Sequence, residues 1–173
     1  AQAQDSSRPP VERNAALDVL LNRQLNHGDY AGFISSLQIT APPAVEDSAG
    51  EMRTTGAMFK QGVWSDGYPC PALVETARNL ARNPRNLQAR LCLGDFWRLN
   101  TGGELGDYEA APKQDELGGA VKGFAGPTLP RGTIYAAIIA DPRAPANETA
   151  YALYRAINCY GPSGYNGCGG ENV

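Results

Sequence analysis

The chain has 173 residues, 42% hydrophobic and 19% charged, with 15 Lys and Arg against 18 Asp and Glu for a net charge of -3. That is enough for one domain, or two small ones, with a real core; it is too apolar for a disordered chain, and no apolar run approaches the roughly 18 residues of a membrane span. An acidic balance lacks the basic surface that gripping phosphate backbones requires, so nucleic acid is not an expected partner, and the single histidine, His27, excludes chemistry needing several imidazoles within this chain.

Residues 1–10 begin Ala1-Gln2-Ala3-Gln4 without an initiator Met and read as a flexible N-terminal segment. Small residues and a missing Met fit a mature chain after signal-peptide removal, so export to the periplasm or cell surface is expected. From Val11 to Asn26 the pattern is helical, with Leu17, Leu20, Leu21 and Gln24 or Leu25 at three- and four-residue spacings, so that one stripe is apolar. His27-Gly28-Asp29 stops it, because Gly takes the left-handed conformation that ends a helix and Asp caps the next one. A second helix follows through Tyr30, Phe33, Ile34 and Leu37, completing a helical hairpin.

Pro42 and Pro43 break the chain, and a further helix is expected from about Ala49 to Gln61. Gly62 to Pro69 is a turn-rich insertion. Pro71 suits the first turn of a helix from Ala72 to Ala81, which Asn83-Pro84 ends, since the residue before proline avoids helical geometry. Asn86 to Asn100 is a strong helix. Pro112 to Thr133 reads as a long loop, Ile134 to Ala140 is ambiguous between helix and strand, and Glu148 to Cys159 is helical. The domain expectation is therefore a helical body over 11–157, an inserted loop over 112–133, and a Gly-rich C-terminal loop over 158–173.

The four cysteines lack the closely paired spacing of thiolate zinc sites, so no metal is expected. Three disulfide pairings are possible. The shortest loop joins Cys159 to Cys168 and leaves Cys70 for Cys92. If the helices about Pro84 pair as a simple hairpin, Cys70 falls nearer Leu99, about 10 Å beyond Cys92 at the usual helical rise. A Cys70–Cys92 bond then requires the Gly62 to Pro69 insertion to fold back over the helix.

A repeated pattern runs through these helices. Asn14 to Leu37 contains a helix, Gly28-Asp29-Tyr30 and a second helix; Asn86 to Ala111 repeats this order around Gly106-Asp107-Tyr108. Apolar helices ending in Asn83-Pro84 and Asp141-Pro142 form a second recurrence. With Leu93-Gly94, Trp97 and the closing Pro84, residues 72 to 111 resemble the tetratricopeptide repeat family. Gly94 would let two helices approach closely, with Trp97 filling the gap beside it. The resemblance implies an all-α fold of stacked antiparallel helical hairpins, a solenoid with Gly/Pro-rich loop insertions. It also implies a partner-binding groove lined by first helices, which nominates Asp18 and Asn22 in one helix and Gln88, Leu91, Asp95 and Arg98 in another.

Other chemistry is thinly supported. His27 beside Gly28 complements a helix C-terminus. The pairs Asp107 with Glu109 and Asp115 with Glu116 could serve a carboxylate-dependent hydrolase, but nothing in the sequence fixes their separation. The Gly-rich tail contains no phosphate-cradle motif, and no Gly-x-Ser-x-Gly elbow occurs. No catalytic residue and no cofactor are therefore nominated. The expected role is a non-enzymatic interaction module or accessory subunit of a cell-envelope assembly, with another protein as partner. The alternatives are a loop-built hydrolase and a self-assembling surface or filament subunit.

Overall fold

The structure is a computed structural model that describes residues 2–39, 45–46, 52–53, 57–61, 64–100, 128–160 and 167–168. Among these the architecture is all-helical: α1 (Pro10–Asn26), α2 (Tyr30–Ser36), α3 (Ala57–Gln61), α4 (Leu73–Arg82), α5 (Leu87–Leu99), α6 (Arg131–Ile139) and α7 (Ala146–Asn158). A two-residue antiparallel ribbon, β1 (Val45–Glu46) with β2 (Met52–Arg53), sets Val45 opposite Arg53. The helices pack in an unbroken series, α1 on α2, α2 on α4, α4 on α5, α5 on α6 and α6 on α7, with α5 also touching α7.

Local chemistry accounts for each turn in this path. Pro10 opens α1 at a position where its missing N–H costs nothing. Leu17, Leu21 and Leu25 then recur at four-residue spacing on the buried face. Gly28, at φ +73°, supplies the left-handed residue that ends α1, and Asp29 N–H donates back to Gln24 O at 2.8 Å. The Asp29 carboxylate accepts from Gly32 N–H at 2.9 Å and so starts α2. Helix α4 buries Leu73, Thr76, Ala77 and Leu80, one stripe at helical spacing, and ends at the extended Asn83 before Pro84. Asn86 caps α5 by accepting from Ala89 N–H at 2.9 Å.

Helix α5 is the centre of the molecule. Residues Leu91 to Trp97 are all buried, because α4 covers one side and α6 and α7 cover the other. Aromatic rings extend this core toward α2: Phe33 meets Phe59 edge-on at 5.8 Å, and Phe59 meets Phe96 at 5.8 Å. Gly94 permits the close approach of α5 and α6, since a Cβ there would lie 2.9 Å from the Tyr135 hydroxyl. Tyr135, rather than Trp97, fills the space opposite Gly94.

Several boundaries differ from the sequence reading. Of the helix expected from Ala49 to Gln61, the described residues are helical over Ala57–Gln61, while Met52–Arg53 is extended and pairs with Val45–Glu46. The ambiguous Ile134 to Ala140 segment is helical, and α6 begins at Arg131, inside the loop expected over 112–133. The N-terminal segment, expected to be flexible, forms a 3-10 turn over Gln2–Gln4 that packs on α1 and buries Ala3. Gly106-Asp107-Tyr108 and the candidate acids Asp107, Glu109, Asp115 and Glu116 lie outside the described residues.

Both cysteine pairs are at disulfide distance. The Cα atoms are 5.4 Å apart for Cys70–Cys92 and 5.2 Å apart for Cys159–Cys168. The first bond is possible because residues 64–72 form a strap that precedes α4 and folds back over α5, where Gln88 Nε2 donates to Pro69 O at 2.9 Å. Two disulfides fit an oxidising compartment. Among the described residues, no helix is long and apolar enough to cross a membrane.

Candidate functional site

A polar cluster sits where the strap crosses α5 and α7. Asp95 of α5 is fully buried, and Arg155 of α7 is 7% exposed. Buried charge is tolerated only when it is paired and hydrogen-bonded. Asp95 Oδ2 accepts from the Tyr151 hydroxyl at 2.5 Å and the Ser65 hydroxyl at 2.9 Å. Its Oδ1 lies 3.1 Å from Arg155 Nε and 3.4 Å from Arg98 Nε. Asp66 closes the ring: its Oδ1 accepts from Arg98 Nη2 at 2.5 Å and from Arg155 Nη2 at 2.6 Å. Tyr68 of the strap stacks on Tyr151 at 4.3 Å, and the Arg155 guanidinium lies 4.9 Å from the Tyr151 ring centre and 5.0 Å from that of Tyr154.

Asp66, Tyr151 and Arg155 are shifted from their ordinary values by these neighbours. Burial pushes the Asp66 carboxyl up, but Arg155 and Arg98 outweigh it and hold the group below its ordinary value. Burial and donation to Asp95 push the Tyr151 hydroxyl above its ordinary 10.0. Burial pulls Arg155 down, yet its bond to Tyr151 and the attraction of Asp95 and Asp66 outweigh it and raise the group above its ordinary value. Each of these shifts carries the group's titration further from pH 7, so Asp66 and Arg155 stay charged and Tyr151 stays a neutral donor.

Behind the cluster lies a cleft of about 150 Å³ between α5, α6 and α7. Arg98, Arg131, Tyr135, Arg155 and Asn158 line it, together with the Cys159–Cys168 disulfide and Gly167. Arg131 Nη2 donates to Gly167 O at 2.7 Å, so the disulfide loop holds that guanidinium in place. Burial pushes the Tyr135 hydroxyl up to about 12. Beside the cleft, α7 turns three large apolar side chains outward: Leu153 (44% exposed), Tyr154 (55%) and Ile157 (72%). Their spacing puts them on one arc of about 100°.

The six groove positions have unlike settings. Leu91 and Asp95 are fully buried, which leaves them no surface to offer a partner. Their burial follows from the position of α5, which has neighbours on both sides. Gln88 is exposed and tethered to Pro69, while Arg98 is partly exposed and borders the cleft. Asp18 and Asn22 are half-buried on α1, where Asn22 Nδ2 donates to Asp18 O at 2.9 Å. The structure thus brings together Asp95 and Arg98, with Asp18 and Asn22 on the first helix of the packing series and Arg155 on the last.

The sequence reading missed Ser65, Asp66, Tyr151 and Arg155. Tyr151 and Arg155 are four residues apart on one helix, a pairing that was visible locally. Their carboxylate partners are 56 and 89 residues away in sequence, so no local pattern joins them. Among the described residues, no group of three or more His, Cys, Asp or Glu is placed to hold a metal ion. No protein-family model, no curated protein and no solved structure matches this chain.

Proposed function

We propose that this chain is a non-enzymatic protein-interaction module, an accessory subunit of a cell-envelope assembly that seats a segment of another protein on the outer face of α7. The observation that carries this reading is the exposed triplet Leu153, Tyr154 and Ile157. Scattered apolar residues on a surface are ordinary, but three large ones on one arc of a single helix favour an association surface. The ion-pair cluster ties α7 to α5 and the strap, which pre-forms this face and lowers the ordering cost of binding. In this reading the hairpins stack as a tetratricopeptide-like solenoid, with α7 at one end instead of the groove positions on α1 and α5. The disulfides support export, and the periplasm is the oxidising compartment proposed.

A photo-crosslinking residue at Ile157, compared with one at exposed Arg82 on α4, tests this reading in intact cells of the source. One discrete adduct formed through position 157, absent from position 82 and lost on Leu153→Glu, is expected. Identical patterns at both positions, or no adduct at 157, would overturn it. Self-assembly is the second reading, because α1 also exposes Val11 (53%) and Val19 (46%). Concentration-dependent sedimentation of the purified chain would select it.

A further inference from the structure

The geometry points to the cleft between α5, α6 and α7 as a receptor for one carboxylate of the bound segment, carried by an acidic side chain or by a chain terminus. Three guanidiniums line the cleft, and among the described lining residues there is no acidic side chain. Asp66 and Asp95 neutralise Arg98 and Arg155 from the other side. Among the described residues these bonds fall on Nε and Nη2 of each arginine, and none is made by either Nη1. Guanidinium donors match a planar carboxylate, and nine-tenths burial of Arg155 strengthens a charge-assisted bond made there.

Two further features fit the same ligand. The Tyr135 hydroxyl is a buried donor with no hydrogen-bond partner, on a residue that lines the cleft. Leaving a buried donor unmatched is unfavourable, and an oxyanion is an acceptor it could use. The Tyr135 ring and the disulfide sulfurs give the cleft an apolar wall. A cavity of about 150 Å³ accommodates a body about the size of benzene. The cleft also adjoins the apolar face: Asn158 at its rim lies one turn from Tyr154, whose ring the Arg155 guanidinium approaches to 5.0 Å. A segment with an acidic group beside apolar residues would therefore satisfy both surfaces.

The inference rests on the partner-binding reading for what carries the carboxylate; the chemistry of the cleft can be tested without any partner. Sodium benzoate is titrated into the uniformly 15N-labelled, disulfide-intact chain, with benzamide as its neutral counterpart. Saturable shifts at Tyr135 and Asn158 with benzoate alone are expected, weakened about 10-fold or more by Arg98→Gln. Asn158→Asp, on an exposed helix end, puts a negative charge at the rim and should abolish binding even if Arg98→Gln fails to fold. Equal response to benzamide, no saturation, preference for inorganic phosphate, or indifference to Asn158→Asp would each overturn the proposal. Two leucine-flanked peptides, one with an internal Asp and an amidated end, the other with a free terminus only, then identify the carrier. Benzoate binding without either peptide would overturn the partner clause while leaving the crosslinking result to stand or fall by itself.

Discussion

The two sides of α5 are built on different physics. Toward α4 and α2 the contacts are apolar, with Leu80, Phe33, Phe59 and Phe96 buried to 1% or less. Toward α7, Asp95, Arg155, Arg98 and Tyr151 meet in directed bonds that reach the strap at Asp66. Hydrophobic burial is non-directional and tolerates volume-conserving exchange. A buried ion pair contributes little net stability over an apolar substitute, but is severe when half broken. The α4 side supplies cohesion; the α7 side sets where one helix lies, and that helix carries the exposed apolar face.

The sharpest test of this contrast is Asp95→Ala, which strands the buried Arg155 guanidinium. Urea denaturation should show a loss of about 3–5 kcal/mol. Replacing both partners, Asp95→Leu with Arg155→Met, should recover most of it, whereas Leu80→Ala on the other side should cost about 2–5 kcal/mol with no such rescue nearby. If the double variant is no better than Asp95→Ala alone, the directed-bond account of the α7 side is wrong.

The disulfides come next, one tying the strap to α5 and one closing the loop after α7. Cys70–Cys92 closes a span of 22 residues and Cys159–Cys168 one of 9. Loop-closure entropy gives about 3.4 kcal/mol for the longer and about 2.6 kcal/mol for the shorter. Paired Cys→Ser variants, followed by thermal denaturation, should show that order. The second pair should also loosen Arg131, which the Gly167 carbonyl holds, while the first should release the strap from α5. An inverted order would mean that native contacts, rather than chain entropy, dominate.

Gly94→Ala probes the junction of the two sides at lower cost. The added methyl meets the Tyr135 hydroxyl at 2.9 Å, and overpacking of this kind costs about 1–3 kcal/mol. Helix propensity returns about 1 kcal/mol, so a net loss of about 1 kcal/mol is expected in chemical denaturation. A stabilised Gly94→Ala would show that α6 moves aside freely.

These contrasts also explain what could be read from the sequence. Helices α1, α4 and α5 were legible because their apolar stripes and caps lie within a few residues: Leu17 with Leu21, Gly28 with Asp29, and Asn86 with Ala89. The β1–β2 ribbon was not, since two residues per strand carry no periodicity. Asp95 and Arg98 were singled out as a face by helical spacing, but their burial depends on α7, which lies far along the chain. Asp66 stood in a segment read only as a turn-rich insertion. Spacing located the central helix and the resemblance to a repeat family gave it an outward role, whereas packing on both sides turned Leu91 and Asp95 inward.

The smallest expected effect concerns Asp66 and acid. Its carboxyl is held below the ordinary 3.8 in the folded chain, so the unfolded chain binds this proton more readily. The resulting stability is fully present above pH 3.8 and is lost as pH falls through the folded value. The side chain is 46% exposed, so solvent screens the ion pairs with Arg98 and Arg155, and the contribution stays below about 1 kcal/mol. Asp66→Asn removes the titrating group while keeping its shape. Over a series of urea melts between about pH 6 and pH 3, the native chain should lose slightly more stability than the variant, with the two curves converging in acid. Added salt should shrink the gap at pH 6. Parallel curves across the whole range would remove Asp66 from the charge balance that holds the strap over α7, leaving Asp95 as the carboxylate that positions the exposed face.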